Sequence, residues 1–290
     1  MDLGRVGIWD IGLRTEENVA GGAAAETAAE LEELGYGAIW LGMSPGVEHA
    51  VPLLKATSRI VVATGILSIW DYAPAEVAAR HAAVTAEHPE RFLLGLGVSH
   101  EVLVQERYKR PLAAMHTFLD GLDGAATPVP ATQRVLAALG PRMLAAARER
   151  AAGAHPYLVT PEHTRRARQL LGPDRLLAPE VKVVIDPHPE RARGTARGHV
   201  SRYLELPNYA NNMRRLGYTD ADLAEGGSDE LVASVVAWQG ADAIRERIAA
   251  HEEAGADHVC VQVITDDRAE MPRRQWRELA AILGLARPSG

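Results

Sequence analysis

One cysteine, Cys260, is all the chain has. That excludes an internal disulfide and suits a reducing, cytoplasmic setting. Lysine is nearly as scarce: Lys55, Lys109 and Lys182 stand among basic residues that are otherwise arginine. A Schiff-base mechanism needs a lysine at a strand end, and Lys182, at the start of an expected strand, sits at the wrong one. No run of about 18 apolar residues occurs, so no spanning helix is expected, and no basic-then-apolar leader is read at the start. A P-loop, HExxH, CxxC and GxSxG are all missing, as is GxGxxG directly after a strand. The eleven histidines show neither HxH spacing nor a helical carboxylate partner, so no metal centre is expected. A formal net charge of −7 argues against nucleic acid or an anionic membrane as partner. A chain with so few reactive side chains takes its chemistry from a cofactor.

What is present is an ordinary globular composition, 47% apolar and 24% charged over 290 residues, enough for one large α/β domain. Residues 59–100 carry the strongest signal. Ile60, Val61 and Val62 are β-branched and unbroken, as in a strand buried on both faces, and Thr64-Gly65-Ile66 ends that run with a flexible residue. A helix follows, then a second strand, Phe92 to Leu96, closing on Gly95, Gly97, Val98, Ser99 and His100. Further strands are expected at 5–9, 38–41, 134–139, 154–159, 181–185 and 258–264, each followed by a helical pattern. One helix runs from Thr15 through Ala20, Ala24, Ala28, Leu31 and Leu34, at gaps that fit a helical face. Residues 207–240 are polar and turn-rich and read as an irregular excursion. Eight strands alternating with eight helices predict an α/β fold of the (β/α)8 TIM-barrel type, one domain over 1–290.

In such folds ligands sit at the C-terminal ends of the strands. His100, directly after a strand of small residues, is the candidate general acid or base; a backbone-bonded loop histidine is the bland alternative. Thr64-Gly65-Ile66 is either a plain bulge or a strained peptide, a cis bond included, against a flat ring. Thr160-Pro161-Glu162-His163 starts a helix with Thr160 as cap, and its free N–H groups suit a phosphate. Trp9, at the end of the first strand, has the best claim among the tryptophans to face a ligand. Cys260 reads as packing.

ATGILSIW (63–70) and RFLLGLGVSH (91–100) resemble the luciferase-like monooxygenase superfamily, and within it the oxidoreductases that use the deazaflavin coenzyme F420. ALGPRMLAAARERAAG (138–153) and AGADHVCVQV (254–263) resemble its fifth and eighth units, so the likeness spans nearly the whole chain. The resemblance implies a cofactor ring at the barrel mouth, with a cis peptide at Gly65-Ile66 behind it. Trp9, Thr64, Gly97, Val98 and Ser99 are expected around the ring, and Val159, Thr160 and His163 near the phosphate tail. The chain departs from the family pattern twice: His100 stands where relatives carry an acidic residue, and Gly42-Met43-Ser44 replaces a polar pair. The expected function is hydride transfer between F420 and a small organic substrate, by a cytoplasmic homodimer. The alternatives are an FMN-dependent monooxygenase on the same barrel, or a deazaflavin-binding protein without catalysis.

Overall fold

The computed structural model describes residues 1–266 and 270–285. Its strands are β1 (Val6–Asp10), β2 (Ala38–Gly42), β3 (Val61–Gly65), β4 (Leu67–Ser68), β5 (Phe92–Gly97) and β6 (Arg134–Leu136). They continue as β7 (Gly153–Ala154), β8 (Leu176–Leu177), β9 (Glu180–Val183), β10 (Val236–Ala237) and β11 (Val259–Val263). All pairings among them are parallel, in the order β10-β9-β11-β1-β2-β3-β5-β6-β7-β8, with β4 also on β5.

Both faces of this curled sheet are buried, which is why its strands, β9 apart, lack a polar alternation. Val6, Ile8, Ile39, Leu41, Val62, Leu94, Val181 and Val261 join the helices in one large apolar cluster. The alternate residues Trp9, Trp40, Val61, Ala63, Leu93, Val135 and Cys260 form a separate inner cluster, as period-two geometry requires. Side chains of β1, β3, β6 and β11 therefore meet one another across the concave side.

The expected (β/α)8 barrel is met as an all-parallel α/β architecture, with three differences. The strand expected at 154–159 contributes only β7. The strand expected at 181–185 is β9, preceded by an unexpected β8 from which Ala178-Pro179 separates it, because proline has no N–H for a ladder, and β10 adds a further short strand beside β9. The helix expected from Thr15 to Leu34 is two helices, Glu16–Ala20 and Ala23–Glu33, separated where Gly22 takes a positive φ of 79°. Residues 47–56, unread as a helix, form Val47–Ala50 and Val51–Ala56.

The excursion at 207–240 is the larger correction, since most of it is helical: Pro207–Leu216, Asp220–Leu223 and Asp229–Val235. Its polar composition hides Tyr209, Met213 and Leu216, spaced four and three apart, behind a Pro207 that suits a first turn. Thr219 with Asp222 forms a capping box, and Ser228 caps the last of these helices. Tyr209 and Met213 join Leu158, Val200, Leu231 and Ile264 in a third apolar cluster.

Glycine is forced where strands cross most closely. A Cβ at Gly95 would stand 1.9 Å from the Thr64 carbonyl oxygen, whereas one at Gly198, on the helix Pro189–Leu204, would meet nothing within 4 Å. Gly95→Ala is expected to cost about 3 kcal/mol or more, and Gly198→Ala to add roughly 0.5–1 kcal/mol. Urea unfolding of the two variants checks this; equal midpoints would contradict the packing described.

Candidate functional site

The C-terminal ends of β1, β2, β3 and β5 meet at a bulge. Before it, Val62 pairs with Phe92, thirty residues on; after it, Leu67 pairs with Leu96, twenty-nine on. One extra residue is thus carried on the third strand, which re-aims the chain. The gap is bridged by the Thr64 hydroxyl, which donates to the Gly95 carbonyl (2.7 Å) and accepts from the Gly95 N–H (2.8 Å). The Gly65-Ile66 peptide is cis, as the resemblance implied. Thr64 is wholly buried and its hydroxyl is committed to the sheet, so of the expected ring contacts it serves the strand crossing.

Glycines line the rim beside the bulge. A Cβ at Gly42 would lie 2.7 Å from the Trp9 indole, one at Gly65 3.0 Å from it, and one at Gly97 2.5 Å from Ile66 Cδ1. Trp9 and Ile66 therefore lie directly over backbone. The Trp9 Nε1–H donates to the Gly65 carbonyl at 2.8 Å, the Ile66 N–H to the Met43 carbonyl at 3.1 Å, and the Trp70 Nε1–H to the Val98 carbonyl at 2.7 Å. Trp9, Gly65, Ile66 and Gly97 come together as expected, with Val98 and Ser99 (φ 55°) leading out to His100.

His100 begins the short helix Glu101–Val104 and is half-buried. Burial lowers its pKa, the Asn208 side chain acting in the opposite direction, and its Nδ1 is buried without a partner. The space beside the imidazole is filled by Tyr209, with ring centroids 5.4 Å apart. From there an aromatic run continues through Tyr203 (5.3 Å) and Tyr157 (5.3 Å) to Trp9 (5.5 Å).

Val159, Thr160 and His163 stand apart from that run at the start of the helix Pro161–Leu171. The Thr160 hydroxyl accepts from the His163 N–H at 3.2 Å, so it caps the helix as expected. His163 Nε2 lies 3.0 Å from the Leu139 carbonyl, while Nδ1 is buried and unpartnered. Burial keeps this imidazole neutral, and the Arg166 and Arg215 charges add to the effect.

Several residues beneath the rim escaped the sequence reading. Lys182, set aside as lying at the wrong strand end, is fully buried and ion-paired with an equally buried Glu180. Its ammonium lies 3.5 Å from the centre of the Tyr157 ring, a cation–π contact. Burial lowers the Lys182 pKa to about 8 and raises that of Glu180. The Tyr157 hydroxyl donates to Gln262 Oε1 and meets the Tyr203 hydroxyl, both at 2.8 Å. At the tip of β1, burial pushes the Asp10 pKa up to about 7 against N–H bonds from Leu13 and Gly12. The Glu-Val-Lys-Val alternation of β9 was the available signal, since period two puts both charges on one face. Tyr157 and Gln262 offered none.

A surface cavity of about 680 Å³ lies elsewhere, lined by Arg193, Arg197, Ser228 and Asp229. Both arginines there pair with Asp229. Among the described residues no group of three or more His, Cys, Asp or Glu is placed to hold a metal, and no helix is long and apolar enough to cross a membrane.

Residues 1–127 match the luciferase-like monooxygenase family model. The match contains the bulge, the glycine rim and His100. Solved structures are similar in fold over nearly the whole chain. An F420-dependent secondary alcohol dehydrogenase, in complex with an F420-acetone adduct, is similar with a TM-score of 0.70 at 14% identity, over 96% of this chain and 98% of that one. The coenzyme F420-dependent tetrahydromethanopterin reductase of Methanopyrus kandleri matches at 0.70 and 13% identity, over 97% and 98%. The oxygenating constituent of 3,6-diketocamphane monooxygenase from Pseudomonas putida, in complex with FMN, also matches at 0.70 and 13%, over 98% of each chain. No curated protein sequence matches the chain.

The Lys182–Glu180 pair yields a direct test. Lys182→Met leaves a buried carboxylate without its partner and is expected to cost about 3–5 kcal/mol. Adding Glu180→Gln in the same chain is expected to recover most of that loss. Equal destabilisation of the single and double variants in urea would show that the two charges are not coupled.

Proposed function

We propose that the chain is an oxidoreductase that uses coenzyme F420 to transfer a hydride between the deazaflavin C5 and a small organic substrate. The observation that carries this reading is the glycine rim, where Gly42, Gly65 and Gly97 on three strands let the buried Trp9 and the half-buried Ile66 lie directly over backbone, at strand ends that lead out to His100. A planar redox ring fits an apolar face of that kind. The unpartnered Nδ1 atoms of His100 and His163 fit a ligand with polar edges, because buried polar atoms otherwise find partners. When bound, the cofactor supplies the hydride chemistry.

The work of the protein is positional. Trp9 is fixed through its N–H to the Gly65 carbonyl, and Ile66 is held by its own N–H, so the face is rigid before anything binds. His100, neutral because burial opposes its charged form, takes a proton as hydride leaves the substrate, or returns one in the opposite direction. The start of the helix Pro161–Leu171, with Val159, Thr160 and His163, is assigned to the anionic tail, since helix N-termini favour negative charge. The same reading takes the sheet as a closed (β/α)8 barrel. It is supported by residues 176–183, which bond on both sides: the Glu180 N–H to the Pro156 carbonyl, and the Cys260 N–H to the Pro179 carbonyl. A cytoplasmic homodimer acting on a small molecule completes the proposal.

An FMN-dependent monooxygenase is the second reading, favoured by the equal fold similarity of the FMN-bound diketocamphane enzyme. Fluorescence titration with F420 and with FMN separates the two. Micromolar F420 binding, without oxygen uptake by the reduced complex, is expected; tight FMN binding with none of F420 would overturn the choice. In the F420 enzyme, His100→Ala is expected to lower kcat by roughly a hundredfold or more and to remove the acid limb of its pH profile. Unchanged turnover and pH profile would take His100 out of the mechanism.

A further inference from the structure

The aromatic run between Trp9 and His100 carries a polar tip of its own. Tyr157 donates its hydroxyl hydrogen to Gln262 Oε1 at 2.8 Å. Its 2.8 Å contact with the Tyr203 hydroxyl is then one that it accepts, because a phenol has a single hydrogen to give. The donors run from Tyr203 through Tyr157 to Gln262, and the sequence of bonds ends on the Gln262 amide NH2. That group bonds no other described residue. Gln262 is half-buried, whereas the rest of β11 is buried. The strand therefore opens outward only at this amide.

The tip is held from below. Gln262 and Lys182 are register partners on β11 and β9, so their side chains leave the sheet on the same face. The Lys182 ammonium lies 3.5 Å from the centre of the Tyr157 ring and 5.5 Å from that of Tyr203, and the Trp9 ring closes on Tyr157 at 5.5 Å. A cation against a π face fixes the ring above it. Because Lys182 is ion-paired with Glu180, the pair brings no net charge to the tip.

We propose that the Gln262 amide, oriented by Tyr157, binds the carbonyl oxygen of an uncharged substrate, and that Lys182 is the positioning residue that holds Tyr157 in place. The ligand class follows from the group on offer. Two N–H bonds call for an acceptor, and a purely apolar molecule would leave them unpaired. A carboxylate or phosphate would give up its water there with no net cation in return. A ketone or aldehyde meets both conditions, and the faces of Trp9, Tyr157 and Tyr209 suit the carbon around its oxygen. The inference rests on the proposed function for placing substrate at this end of the sheet, and it names the class of molecule held there.

Nitrogen-15 NMR of glutamine-labelled full-length protein tests this without cofactor, the Gln262 side-chain signals being those absent from Gln262→Met. Acetone and cyclohexanone are expected to shift the Gln262 NH2 signals, and cyclohexanecarboxylate to leave them in place. Gln262→Met is expected to weaken cyclohexanone binding about tenfold, with no such loss for methylenecyclohexane, which has the same shape and no oxygen. Tyr157→Phe, which keeps the ring and removes the hydroxyl, should move the free Gln262 signals and weaken cyclohexanone several-fold. The double variant Lys182→Met, Glu180→Gln should do the same while the chain stays folded. Absence of any ketone shift, or equal cyclohexanone affinity in folded Gln262→Met, would overturn the proposal; unmoved Gln262 signals in the double variant would overturn the part given to Lys182. These signals are read whether or not F420 binds, and F420 titration is read without ketone, so the two readings fail separately.

Discussion

A single hydroxyl holds the rim together. Where β3 gains its extra residue, the backbone ladder to β5 is interrupted, and Thr64 replaces it by bonding both the N–H and the carbonyl of Gly95. A bulge left to itself would leave two buried backbone groups unsatisfied, at a cost of about 1–3 kcal/mol each. Stitched in this way, it re-aims Gly65 toward the Trp9 indole and Ile66 over Gly97. The flat face, the close approach of strands and the exclusion of side chains at Gly95 all follow from that crossing. Gly95 has no alternative there, since any Cβ would occupy the position of the Thr64 carbonyl.

The concave side of the sheet depends on a different balance. It encloses Lys182, Glu180, His155 and His258, yet few charges persist there. Burial lowers the pKa of both His155 and His258 to about 4, so those rings pack as neutral aromatics. His155 stacks on Trp40 with centroids 4.1 Å apart, and the Trp40 Nε1–H donates to His258 at 3.1 Å. Lys182 has a carboxylate and a π face as partners. Desolvation of two ions costs several kcal/mol each, repaid only by good geometry. The pair thus lends the underside of Tyr157 a defined orientation more than it lends the fold stability.

The parts legible in the sequence are those where local pattern and tertiary role agree. β1, β2, β3, β5 and β11 are short apolar runs, and Gly65 and Gly97 marked the rim because flexible residues stand there against strand preference. Thr160 was found as a cap because N-capping is local chemistry. The strands around Pro156 and Pro179 were misdrawn because proline breaks ladders without ending the extended path. The excursion was read as irregular because its apolar residues are few, although Tyr209, Met213, Leu231, Val232 and Val235 are all buried. Tyr209 left no signal, since its meeting with His100 is made by the fold and by no motif. Lys182 was set aside because it begins its strand, far from the end where a Schiff base would form, and its burial against Glu180 and Tyr157 is made by the fold.

The pairing of β1 has a further meaning for biosynthesis. Its residues lie between β2, which follows soon after, and β11, with Val6 beside Val259 and Ile8 beside Val261. As the nascent polypeptide leaves the ribosome, the first four strands have local partners, but one flank of β1 stays unzipped until almost the last helix is made. An open strand edge invites pairing with foreign backbone, and such distant contacts form slowly. Chaperone demand during translation should therefore centre on that waiting flank, long after the residues of the rim have found their places.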